Sequence, residues 1–122
     1  MIPCMIVPIL KGPEILYRML ETIDYPIRKL IIIDNGDALR HSLGWPVEHV
    51  QSTKVIKMPA NLGVAGSWNL GIKADPFAPW WLIANFDLEW PAGSLKAFSE
   101  QVTDGVLLAQ SPQPWSAFAL SE

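Results

Sequence analysis

The sequence predicts an α/β domain, a three-layer sandwich in which helices cover both faces of a mostly parallel sheet. Three observations carry this. Leu30-Ile31-Ile32-Ile33-Asp34 is an apolar, β-branched run without alternation, so a strand there needs cover on both faces. Segments 14–23 and 63–74 place apolar residues at helical spacing. Strand-like and helix-like segments alternate as far as residue 110, the order of βαβ units, and one sheet built that way has its C-terminal strand ends on one edge.

Cys4 to Ile9 is a short apolar run stopped by Gly12-Pro13, a buried strand leading into a turn, and Pro8, lacking a ladder N–H, should end it. From Glu14, Ile15, Leu16, Met19, Leu20 and Ile23 share one side of a helix closed by Tyr25-Pro26. The second strand follows at Leu30. Ala38 to Gln51 has no clean period and is expected to be a loop with one helical turn, and Ser52 to Met58 a short strand. A helix over 63–74 should face Val64, Ala65, Trp68 and Ile72 inward, although Gly66 and Gly71 each cost about 1 kcal/mol of helix propensity against alanine. Trp80 to Asp87 reads as the next strong strand, Pro91 as the first turn of a short helix through Leu95 and Phe98, and 106–109 and 116–120 as fifth and sixth strands.

The chain is one domain, 1–122. Its 122 residues are 50% hydrophobic and 17% charged with net charge -3, enough apolar side chains for one core and a surface thin in charge, so some apolar surface is expected to meet a partner, a ligand or another copy of the chain. Six tryptophans and the apolar 112–120 tail lead to an expectation of self-association as a dimer, against the alternative that the tryptophans fill the core. The basic residues are scattered, which argues against a nucleic-acid partner. A single cysteine, Cys4, suits a reducing compartment and a buried packing role. There is no apolar run near the roughly 20 residues of a membrane span and no signal-peptide pattern, so a soluble, cytoplasmic protein is expected.

Two polar clusters should meet at the C-terminal edge, where open α/β sheets bind ligands. Asp34-Asn35-Gly36-Asp37 follows the second strand, and Asn85-Phe86-Asp87-Leu88-Glu89 follows the tryptophan-rich one. A carboxylate at a strand end can accept hydrogen bonds from a ribose or base, and the second cluster offers oxygen ligands to a hard cation. The plainer alternative is a turn stabilised by local Asp and Asn hydrogen bonds. Asn61-Leu62-Gly63-Val64-Ala65-Gly66 can bring backbone N–H groups to an anion, or Asn61 can simply cap the helix. It matches neither the dinucleotide fingerprint nor the Walker loop. His41 and His49 lack zinc-site spacing, and Ser67 has no evident base partner.

In this order the segments resemble the nucleotide-binding half of A-type (GT-A) glycosyltransferases, especially the inverting group called family 2. The similarity lies in Ile6-Val7-Pro8-Ile9, Ile31-Ile32-Ile33-Asp34-Asn35-Gly36, the stretch from Asn61 to Ile72, and Leu82-Ile83-Ala84-Asn85-Phe86-Asp87 with Pro91 to Leu95. The resemblance implies a metal-dependent glycosyltransferase that moves a sugar from a nucleotide diphosphosugar, a uridine diphosphosugar by preference, to a hydroxyl acceptor. It implies that Pro8 and Ile9 meet the base, Asp34 the base or ribose, Asn61, Gly63 and Gly66 the diphosphate, and Asn69 the sugar. Asp87 is similar to the last residue of the D-x-D motif, which holds Mn²⁺ or Mg²⁺, and Asn85 stands at its first position as a neutral group. An inverting reaction needs a base as well, for which Glu89 is a nearby carboxylate, with a supporting or solvent-facing role as the equal alternative. Such enzymes usually continue into a second half with the acceptor pocket, so the chain is read as a minimal or truncated version. The alternative is a noncatalytic nucleotide-binding or assembly module.

Overall fold

The computed structural model describes residues 1–39 and 46–102. In chain order the elements are β1 (Met5–Ile9), α1 (Pro13–Glu21), β2 (Ile27–Asp34), β3 (Val50–Lys57), α2 (Gly63–Ala74), β4 (Leu82–Ile83) and α3 (Ser94–Glu100). The strands form one all-parallel sheet in the order β3-β2-β1-β4. The α/β layout and parallel sheet are therefore as predicted, with the second strand internal. The expected strands at 106–109 and 116–120 lie outside the described residues, as does most of the expected helical turn after Ala38.

The side chains of β1 and β2 divide by parity, as the two-residue period of a strand requires. Met5, Val7, Ile9, Leu30 and Ile32 pack with Leu16, Met19 and Leu20 of α1 and Leu95 of α3. Cys4, Ile6, Ile31 and Ile33 pack on the other face with Trp68 and Ile72 of α2. Helices thus cover both faces, and the non-alternating isoleucine run is buried throughout.

β3 starts at Val50 rather than Ser52, α3 starts at Ser94 with Pro91 ahead of it, and four further local expectations change. β2 starts at Ile27 rather than Leu30, because the N-terminal residues lie beside it: Arg28 N–H donates to Ile2 O at 2.8 Å and Ile2 N–H to Pro26 O at 2.9 Å. α1 stops at Glu21, where Thr22 turns its Oγ1 back to Met19 O at 2.7 Å, and Ile23 is buried beyond the helix. The inward stripe of α2 is rotated: Ser67 and Gly71 are buried, Trp68 and Ile72 are partly buried, and Val64 and Ala65 are exposed. Gly71 explains the rotation, since a Cβ there would overlap the Ile6 side chain, and its absence lets the helix lie close on β1. Gly66 has only its own turn, at Leu62, as a near neighbour.

The fourth change is the largest. The expected strand 80–87 reduces to Leu82–Ile83, and Asn85, Phe86 and Asp87 lie in the following loop. Leu82 and Ala84 donate N–H groups to Cys4 O and Ile6 O at 2.8 and 3.0 Å. The next β1 residue on that side is Pro8, which has no N–H to continue the ladder. Pro8 thus leaves β1 intact through Ile9, where Asn35 N–H donates to Ile9 O at 2.8 Å, and instead shortens the neighbouring strand.

Candidate functional site

The order β3-β2-β1-β4 means that the chain builds outward from β1 in one direction, then crosses back to place β4 on the other side. In open α/β sheets ligands bind at such a reversal, outside the C-terminal ends of the strands, which here falls beside β1. The exits of all four strands and the N-terminus of α2 lie at this edge.

At the exit of β2, Asp34 has no exposed surface. Its Oδ1 accepts N–H groups from Gly36 at 3.3 Å and Ala38 at 2.9 Å, and its Oδ2 accepts that of Leu39 at 2.9 Å. The loop is closed from outside by Lys57, at the end of β3, whose Nζ donates to Asp37 Oδ1 at 2.9 Å and also to Leu39 O. Asp34 therefore shapes the 34–39 loop, and a direct contact with a ligand would require that loop to open. Gly36 sits against the β1 exit so closely that a Cβ would overlap Leu10 O. Two of the expected site segments, Pro8-Ile9 and Asp34, are thereby held together.

The α2 loop joins them through residues that sequence reasoning had not assigned. Asn35, 7% exposed, accepts the Leu62 N–H at its Oδ1 (3.1 Å) and donates from Nδ2 to Ser67 Oγ at 2.8 Å. Ser67, fully buried, donates in turn to Gly63 O at 2.6 Å. Asn61 Oδ1 accepts the Gly63 N–H at 2.8 Å, and Gly63 has φ +74, in the left-handed region that favours glycine. Asn61 thus closes a local turn onto Gly63 but is not the helix cap that sequence offers as one of two readings: Leu62 holds the N-cap position, and no side chain caps α2. Asn61 and Gly63 are exposed and Gly66 partly so, whereas Asn69 stands on the exposed side of α2, away from the Ser67–Gly71 stripe. The signal for Ser67 is its place four residues after Gly63, on the buried stripe once Gly71 is recognised as a close approach.

The exit of β4 is different. Asn85 is half-buried, and Asp87 and Glu89 are exposed. The loop is anchored further along, where Trp90 N–H donates to Thr22 Oγ1 at 2.9 Å and Gly93 N–H to Asp24 Oδ2 at 3.0 Å. No group of three His, Cys, Asp or Glu side chains among the described residues forms a metal-ligand set. One free carboxylate and a neighbouring amide do suit a hard cation that keeps its waters and is shared with substrate phosphates, the usual situation of Mg²⁺. They do not suit a site built from protein ligands alone.

At the opposite edge, Asp75 pairs with Arg28 at 2.6 Å, and its carbonyl accepts Trp81 Nε1–H at 2.9 Å. Burial, with the Asp75 carboxylate beside it, pushes the Cys4 thiol from its ordinary 9.0 up to about 12. Cys4 is therefore a packed thiol, as expected. His49 is an exposed turn residue with φ 70, and His41 lies outside the described residues.

Compared with protein-family models, with curated proteins and with solved structures, the chain has no significant match. No helix among the described residues is long and apolar enough to cross a membrane.

Proposed function

We propose that the C-terminal sheet edge binds a nucleotide diphosphosugar and that the chain is a GT-A type glycosyltransferase passing the sugar to a hydroxyl acceptor. The observation that supports this best is the joining of the β1 exit, the β2 exit and the α2 N-terminal loop by Asn35, beside the reversal point of a parallel sheet. In this reading the nucleoside lies against Pro8, Ile9 and the loop that Asp34 shapes. The diphosphate lies toward Asn61, Gly63 and Gly66, and Asn69 serves the sugar only from the outer side of α2.

Asp87, with Asn85 beside it, would hold Mn²⁺ or Mg²⁺ against the diphosphate. A cation there neutralises charge developing on the leaving group. Glu89, exposed on the same loop, is the carboxylate proposed to take the acceptor proton. Cytoplasmic location and self-association belong to the same proposal, and the second gains support from Phe77, 94% exposed after α2.

The thin set of metal-ligating groups at the β4 exit among the described residues favours a second reading, a noncatalytic nucleotide-binding or assembly module. Titration calorimetry with UDP, GDP and CDP, with and without Mn²⁺, tests both. Metal-dependent UDP binding with sugar transfer or donor hydrolysis supports the enzyme, binding without turnover supports the module, and no binding below millimolar concentration overturns both.

A further inference from the structure

Asn35 and Ser67 are the two most deeply buried uncharged polar side chains of the described residues, and they form a relay rather than two separate contacts. Asn35 takes the Leu62 N–H on one side of its amide and gives a hydrogen bond to Ser67 Oγ on the other. Ser67 passes the connection on to Gly63 O, so the relay returns to the loop it started from, one residue further along. The Asn35 backbone N–H is bound at the same time to Ile9 O. One residue therefore touches the β1 exit and the loop at the start of α2.

Left to itself that loop has one exposed local contact to hold it, the Gly63 N–H on Asn61 Oδ1. Asn61, Leu62 and Gly63 are exposed, the would-be Cβ of Gly63 meets nothing within 4 Å, and the helix has no acidic residue in its first turn. Glycine at Gly63 leaves the backbone many conformations, and ordering such a residue costs about 1–2 kcal/mol. The Asn35–Ser67 hydrogen bond is buried and those to Leu62 and Gly63 are partly so, and buried polar contacts are costly to leave half made.

We infer that Asn35 and Ser67 are positioning residues, a buried polar latch that holds Asn61-Leu62-Gly63 in one conformation before any ligand arrives. Neither side chain touches the ligand. The latch stands on its own geometry, and its consequence for binding rests on the donor reading above. A loop set in advance removes an ordering cost from binding, so breaking the latch weakens the affinity for a nucleoside diphosphate.

Backbone amide exchange by NMR and UDP calorimetry, in wild type and three variants, separate the two levels. Asn35→Ala removes the Leu62 acceptor directly. Ser67→Ala is the sharper variant, because Ser67 does not bond Leu62, so a change at that amide reads the relay. Met19→Ala, buried under the other face, is the control for general loss of stability. Ser67→Ala is expected to speed exchange at Leu62 about tenfold more than at the β1 and β2 amides, with Met19→Ala giving no such excess. UDP affinity should fall about tenfold in Ser67→Ala and stay unchanged in folded Met19→Ala. Equal Leu62 exchange in wild type and Ser67→Ala, relative to the sheet amides, overturns the latch. Excess exchange with unaltered UDP affinity overturns its role in positioning. If wild type binds no UDP, the donor reading and the positioning role fall together, and the exchange result alone decides whether the latch exists.

Discussion

At the exit of β2, Asp34 and Asn35 are buried, and their side chains are engaged by the N–H groups of Gly36, Ala38, Leu39 and Leu62 and by Ser67 Oγ. At the exit of β4, Asn85 is half-buried and Asp87 and Glu89 face solvent. The two stretches are alike in sequence, an apolar run closed by Asp and Asn. They differ because β2 is an eight-residue strand paired on both sides, whereas β4 is a two-residue strand, at the edge of the sheet among the described residues, that lost its continuation to Pro8. A long internal strand delivers its carboxylate into a loop whose N–H groups need an acceptor. A short edge strand releases its chain early and leaves the carboxylate uncommitted. The first exit holds its shape through buried hydrogen bonds, and the second leaves its carboxylates exposed.

The comparison breaks most readily at Asp34. Asp34→Ala strands the N–H groups of Ala38 and Leu39 and should destabilise the fold by about 3 kcal/mol in urea unfolding, with nucleotide affinity lost with or without metal. A loss below about 0.5 kcal/mol, the level of an ordinary surface substitution, would mean that the β2 exit is no more structural than the β4 exit.

Gly36→Ala should cost about 2 kcal/mol by the same measurement, because the new Cβ meets backbone rather than a movable side chain. A smaller penalty would show that the β1 and β2 exits are less tightly joined than their packing indicates.

The start of β4 sharpens the contrast, since Leu82 is tied to the Cys4 carbonyl while beyond Ala84 the chain leaves the sheet. With the Cys4 thiol held at about 12 against 9.0 unfolded, the neutral thiol is favoured by folding. Between those values the unfolded chain has lost the proton and the native one retains it, so stability is full below pH 9 and falls as pH rises from there toward 12. A thiol reagent at pH 8 should label Cys4 only in denaturant. Rapid labelling of the native protein would show that the β4 start opens as freely as its end.

The smallest effect on stability belongs to Asp87. Asp87→Asn should change the unfolding free energy by less than about 0.5 kcal/mol, as expected of an exposed side chain, while abolishing any Mn²⁺ dependence of UDP binding. Unchanged metal dependence would remove Asp87 from the site and turn attention to Glu89.

Fold class, the internal position of the isoleucine strand, the two longer helices and the edge that carries the polar clusters are all legible in the sequence. Each depends on a repeating local pattern, the two-residue period of a strand or the 3.6-residue period of a helix, that any window of chain displays. What the tertiary structure alone decided is which polar residues are spent on the fold. Nothing local distinguishes Asp34 from Asp87, because the N–H groups that claim Asp34 depend on how its loop turns back. Nothing local pairs Asn35 with Ser67, 32 residues apart, until Gly71 brings α2 down on Ile6. Pro8 shows the same division. Its missing N–H is a fact of sequence, but which strand it shortens depends on which neighbour lies on its free side, and that is set by the order β3-β2-β1-β4.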